Sequence, residues 1–294
     1  MSDAVIYDRG YRIYDGPVAG RWGPRRAIVK DGVRRILGLR RKARRKVLPW
    51  GLLAVGTIMA AVFIGLQFVA GSISAAIQEG LPSYPELFDV YSRISLLFLA
   101  VTGPELLGPD RRQGVLSVYF SRPMSVGDYL GSKAIAYLLM ASSIYLLPQI
   151  AFHIGRAALS DDGFLSYLGS TTDLLWKILV ATLAFVLVHG GVLAVISAHV
   201  DRTSFAAATF LGVLIAGGSL AGTIADTAVP GAPVFSFLAF DDHARYVRDW
   251  VFDADLASYA PERAGFDPWV SAVFIGATAL LGSLWLVRRY RRLA

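Results

Sequence analysis

Long apolar runs alternate with polar segments along this chain, and six of them reach the roughly 20 residues needed to cross about 30 Å of hydrocarbon. They are Leu48 to Val69, Leu87 to Leu107, Tyr129 to Ile154, Leu174 to Ser197, Phe205 to Ile224 and Trp269 to Val287. The second run is the weakest, with Arg93 inside it and Pro104 and Glu105 near its end. Without it the number of crossings is odd, and the two arginine-rich ends of the chain fall on opposite sides, against the positive-inside rule. The pattern therefore predicts an all-α polytopic membrane protein with six transmembrane helices.

Between Pro24 and Val47 the period changes. Ile28, Ile36, Leu39, Ala43 and Val47, with Val29 and Val33 beside them, recur at helical spacing, and Arg25, Arg26, Lys30, Arg34, Arg35, Arg41 and Lys42 fill positions between. This predicts a basic amphipathic helix lying on a membrane surface, with Pro24 in its first turn and Pro49 limiting its end. Its nearest polyanion is the lipid head group, since it runs directly into an apolar run; nucleic acid is not an expected partner. Residues 1–47 thus form a polar tail plus interfacial helix, and 48–294 the six-span domain.

Charge then orients the chain. Loops on the side of the termini carry 22 Lys and Arg and the opposite loops 4, which predicts cytoplasmic termini in a cell (inner) membrane. The first apolar run is expected to act as its own targeting signal. The composition agrees with a membrane location: of 294 residues, 55% are hydrophobic and 17% charged. The absence of cysteine removes disulfides and thiolate metal sites.

Two loops stand out. The long outer loop 225–268 holds the apolar run Pro233 to Phe240 followed by DDHARYVRDWVF. It reads either as a segment dipping back toward the membrane, with Phe237 at the mouth of a path, or as a solvated cap resting on head groups. The second loop, Gly108 to Pro123, reads GPDRRQGVLSVYFSRP and sets Val115, Val118 and Tyr119 at helical spacing beside Arg111, Arg112 and Arg122. Such a mixture suits contact with another protein, and an amphipathic turn on the lipid surface is the competing reading.

Several chemistries lack their residues. There is no G-x-x-x-x-G-K-[ST] phosphate loop, and His153, His189, His199 and His243 show no metalloprotease spacing. Asp110, Asp128 and Asp201 are scattered singly, which disfavours a metal-dependent membrane enzyme. Neither a metal nor another cofactor is expected on the chain. Inside the runs, Gln149 and His153 stand one helical turn apart and read either as polar lining of a substrate path or as hydrogen bonds between helices. His189 reads as a packing residue, and the Gly190–Gly191 and Gly217–Gly218 pairs as sites of close helix approach.

The stretch PELLGPDRRQGVLSVYFSRPMSVGDYLGSK (Pro104 to Lys133), with the basic helix, the six-run layout and the long loop before the last run, resembles the ABC-2 type permeases, the membrane subunits of bacterial ABC exporters. Gly114, the turn Ser121, Arg122, Pro123, and the pair Gly131 and Lys133 carry the likeness. Gln113 stands where many members have a glutamate, and Asp110 is its candidate substitute. The resemblance implies a coupling helix between the second and third spans, over 108–128, that docks on a separate ATPase subunit dimer binding ATP and magnesium. The residues expected there are Asp110, Arg111, Arg112, Gly114, Val115, Leu116, Tyr119, Phe120, Arg122 and Pro123. It also implies a second permease copy or a paralogue across a central path. An ion-coupled secondary transporter would be expected to show inverted repeats or interrupted charged helices, and neither is visible. A non-transporting scaffold is the third class, and predicts activity without ATP.

Overall fold

The computed structural model describes residues 20, 22–39, 43–73, 82–121, 124–225, 231–256 and 259–292. Among these every regular element is helical. In chain order they are α1 (Trp22–Ile36), α2 (Arg44–Ile73), α3 (Tyr84–Thr102), α4 (Pro104–Arg112), α5 (Leu116–Phe120), α6 (Val126–Ala158), α7 (Phe164–Ser170), α8 (Thr172–His199), α9 (Thr203–Ala225), a 3-10 helix (Ala232–Leu238), α10 (Phe240–Phe252), α11 (Ala260–Arg263) and α12 (Pro268–Arg291). Six helical runs are long and apolar enough to cross a membrane: within α2, over α3 with α4, and in α6, α8, α9 and α12. The chain is a multi-pass helical membrane protein.

The amphipathic segment ends earlier than its hydrophobic period implies. Gly38 adopts φ +62°, its N–H bonds the carbonyl of Arg35, and the Leu39 N–H bonds that of Arg34. This pair of bonds around a left-handed glycine closes a helix, so α1 stops at Ile36 and Val47 and Pro49 belong to α2. The second crossing also departs from expectation. A capping box of Ser83 and Glu86 starts α3, and Pro104 opens α4 directly after Gly103, which keeps helical dihedrals, so the helical run extends over Tyr84–Arg112 where Leu87 to Leu107 is expected.

Helix α8 lies at the centre of the bundle. Between it and α12 the backbones nearly touch: a Cβ on Gly191 would stand 2.5 Å from the Thr278 carbonyl oxygen, and one on Gly282 2.4 Å from that of Gly191. With lipid as solvent, apolar burial gives helices little reason to associate, so close packing of this kind holds them. Phe88 of α3, Tyr145 of α6 and Phe185 of α8 stack with centroids 5.3 to 6.0 Å apart and join the three helices.

Helix α10 packs along the bundle beside α8. Asp253, after the end of α10, meets Lys177 of α8 at 2.8 Å, and Asp241, at the other end of α10, meets His189 of α8 at 3.3 Å. Those two partners are separated by about 18 Å along α8, so α10 runs beside that helix over this length.

Candidate functional site

Asp110, near the end of α4, has no exposed side-chain surface. The Tyr129 hydroxyl donates to its Oδ2 at 2.7 Å, and Lys133 Nζ lies 2.8 Å from the same oxygen. Arg35 Nη1 donates to Oδ1 at 2.5 Å, and Arg35 Nε pairs with Asp31 at 2.6 Å. One carboxylate thus joins three helices: α1 through Arg35, α4 through its own backbone, and α6 through Tyr129 and Lys133. Burial works against the charge on Arg35, but Asp110 and Asp31 outweigh it and hold its proton more tightly than usual. Arg25 of α1 also pairs with Asp128, in the first turn of α6.

Arg111 turns the other way. Its Nη1 donates to the carbonyls of Ser197 and Ala198 at 3.0 and 2.6 Å, and Nη2 pairs with Asp201 at 2.6 Å. It therefore satisfies carbonyls that the C-terminus of α8 leaves free, at the end where the helix dipole favours a cation.

Gly114 shapes the segment that follows. At φ +66° its N–H bonds the Arg111 carbonyl and the Val115 N–H bonds that of Asp110, so α4 is closed by the device that ends α1. The chain bends into α5, whose Tyr119 and Phe120 rings lie 5.6 and 6.0 Å from Tyr129. Tyr129 stacks in turn at 6.1 Å on Tyr290, near the end of α12.

The expected docking residues therefore divide into two groups. Asp110, the candidate substitute for a partner-facing carboxylate, is sealed inside the chain, because two cations and a phenol enclose it. Leu116 is buried, and Val115, Tyr119 and Phe120 are half-buried; Arg111 is engaged at α8. Arg112, Gln113, Gly114, Ser117 and Val118 remain on the open surface, with Val118 59% exposed. Arg122 and Pro123 lie outside the described residues.

The expected path residues do not meet at one place. Gln149 donates to the Tyr84 backbone carbonyl at 3.3 Å and His153 Nδ1 lies 2.9 Å from the Tyr84 hydroxyl, so both are buried bonds between α6 and α3. Phe237 stacks on His243 at 5.4 Å and packs on Phe266 and Phe274. None of the three lines the apolar cavity of about 180 Å³ between α4, α6, α8 and α12, which has Lys133 and Ser197 in its wall.

A second buried ionic cluster was not anticipated. Arg248 of α10, 2% exposed, forks onto its neighbour Asp249 at 2.6 and 3.0 Å and reaches Asp89 of α3 at 2.7 Å. The Tyr259 hydroxyl donates to Asp249 at 2.7 Å. Arg245 joins Asp89 to Asp241, which pairs with His189. No local sequence signal marks this cluster, because Asp89 lies on another helix, 159 residues from Arg248.

Among the described residues no three of His, Asp and Glu converge as a metal site requires. No protein-family model matches the chain, and no curated protein does either.

Proposed function

We propose that this chain is the membrane-spanning subunit of an ATP-driven transporter, a permease of the ABC-2 type working as an exporter. One observation carries the reading: the α4–α5 elbow between the second and third crossings has an exposed rim and an interior tied to two other helices. Arg112, Gln113, Ser117 and Val118 form the rim. Behind it, Asp110 links the elbow to α1 and α6. A push on the rim by a separate ATPase dimer would reach the third crossing through Lys133 and Tyr129. ATP drives transport only if its binding energy differs between the inward-open and outward-open states, and a stiff elbow passes on such a difference.

In this reading α1 lies on the inner leaflet, both termini are cytoplasmic, and a second copy or a paralogue completes the path. A reporter active only outside the cell stays silent after Arg292 and responds near Asp255.

The docking test uses the exposed rim. Val118→Asp combined with Arg112→Glu leaves the interior contacts in place, so the tagged full chain keeps its melting temperature but no longer co-purifies with a P-loop ATPase chain and its ATP hydrolysis. Retention of both by the double variant overturns the docking assignment. Loss of membrane stability without selective loss of the ATPase favours the lipid-surface reading of the loop.

A further inference from the structure

Arg93 lies well inside the second crossing, about 14 Å along α3 from Tyr84. A neighbouring helix gives the same height, since Tyr91 donates its hydroxyl to the carbonyl of Gly56, far from either end of α2 (Arg44–Ile73). At this depth Arg93 is exposed. It belongs to a stripe of Glu86, Val90, Arg93, Leu97 and Val101, while Phe88, Tyr91, Ser95 and Phe98 on other faces of α3 are buried.

No carboxylate pairs with Arg93 among the described residues, whereas Arg35, Arg111, Arg245 and Arg248 each have one. Glu86, the acid on its own stripe, is about 10 Å away along the axis and accepts from the backbone N–H and hydroxyl of Ser83. A guanidinium placed against lipid at the centre of a helix is costly even on insertion scales. Its side chain is too short to return over two and a half turns to Tyr84. The position therefore calls for water and an anion.

We propose that Arg93 binds the acidic group of an amphiphilic cargo, a phosphate, sulfate or carboxylate carried on an apolar tail. A guanidinium forks onto such oxygens, and Val90, Leu97 and Val101 along the same stripe offer the tail an apolar track. The inference deepens the transport reading and rests on it only in calling the bound amphiphile cargo. The shared chemistry fits a membrane lipid or a free amphiphile.

The full chain, reconstituted in phosphatidylcholine vesicles, tests this in two ways. It contains no cysteine, so Arg93→Cys carries a single thiol. That thiol is expected to react with a water-soluble sulfonated thiosulfonate. Reaction only with a membrane-dissolved maleimide places the site against lipid, and no reaction with either reagent places it under a second copy; both outcomes overturn the proposal. In the second arm, a photoreactive dodecyl phosphate is expected to label α3, with labelling at least tenfold weaker in Arg93→Gln and kept in Arg93→Lys. The uncharged photoreactive dodecanol should not distinguish the variants. Equal labelling of wild type and Arg93→Gln overturns the proposal. Competition by phosphatidylglycerol added to the vesicles assigns the supported site to lipid head groups, and its absence to a free amphiphile. Neither arm uses ATP or an ATPase, so failure here leaves the docking reading to its own test.

Discussion

Lys133 and Asp110 meet at 2.8 Å with side chains 4% and 0% exposed, on the carboxylate oxygen opposite the one that Arg35 holds at 2.5 Å. Removing one member of a buried pair leaves an uncompensated charge, which costs about 3–5 kcal/mol, while replacing both by apolar groups is often neutral. Asp110→Leu should therefore destabilise the protein strongly, and adding Lys133→Met should recover the part of the loss due to the stranded ammonium, while Arg35 and Tyr129 remain without the carboxylate. Denaturant unfolding of the four members of this cycle checks the expectation. Simple addition of the two single effects would show that the pair is not coupled.

The contact between α8 and α12 predicts opposite signs for two glycines of one helix. Gly282→Ala drives a methyl group against the Gly191 backbone and should cost about 1–3 kcal/mol or more. Gly276 has open space around its Cβ position, so Gly276→Ala should be neutral or stabilising by about 0.5–1 kcal/mol through helix propensity. Melting temperatures in one detergent compare them directly.

Arg248 fastens α10 to the rest of the bundle. Arg248→Met strands Asp249 in a buried site, and Arg248→Lys should rescue little, because an ammonium cannot reproduce the planar fork that grips both oxygens. Hydrogen exchange of residues 240–252 is expected to rise in both variants. Unchanged protection in Arg248→Met would mean that helix packing alone holds α10.

His243 gives α10 a dependence on pH. Burial pushes its imidazole down to about 4, and the neutral ring donates from Nε2 to the Ser236 carbonyl while Nδ1 accepts from the Ser271 hydroxyl. Between pH 4 and the ordinary value of 6.5 the unfolded chain binds a proton that the folded chain refuses. Stability should rise with pH through that window, by up to about 1.4 kcal/mol per unit, and level off above it. Unfolding at pH 5 and pH 7 checks the slope, which His243→Gln should reduce.

The crossings were legible because a long apolar run is a property of composition, and the six runs reappear as six helices. Their ends were less so. The apolar period continues past Gly38, and only the left-handed turn there reveals the stop. At the candidate site, Asp110, Arg111 and Gly114 were identified from the sequence, but a charge beside an apolar run reads as surface. Its burial depends on Arg35 and Lys133, which lie on other helices and carry no local sign of where they point. Arg248 and Asp249 escaped for the same reason, in a segment whose acidic residues suggested solvent.

The link from Asp89 to Arg248 also sets an order on biogenesis. Their separation of 159 residues means that a ribosome adding about 5–20 residues per second needs roughly 8–30 s to supply the arginine after the aspartate. During that interval the least apolar of the six crossings carries its acid without the cation that later covers it. The second crossing is therefore expected to gain this contact only once α10 has emerged, so its final seating is a late step of biogenesis.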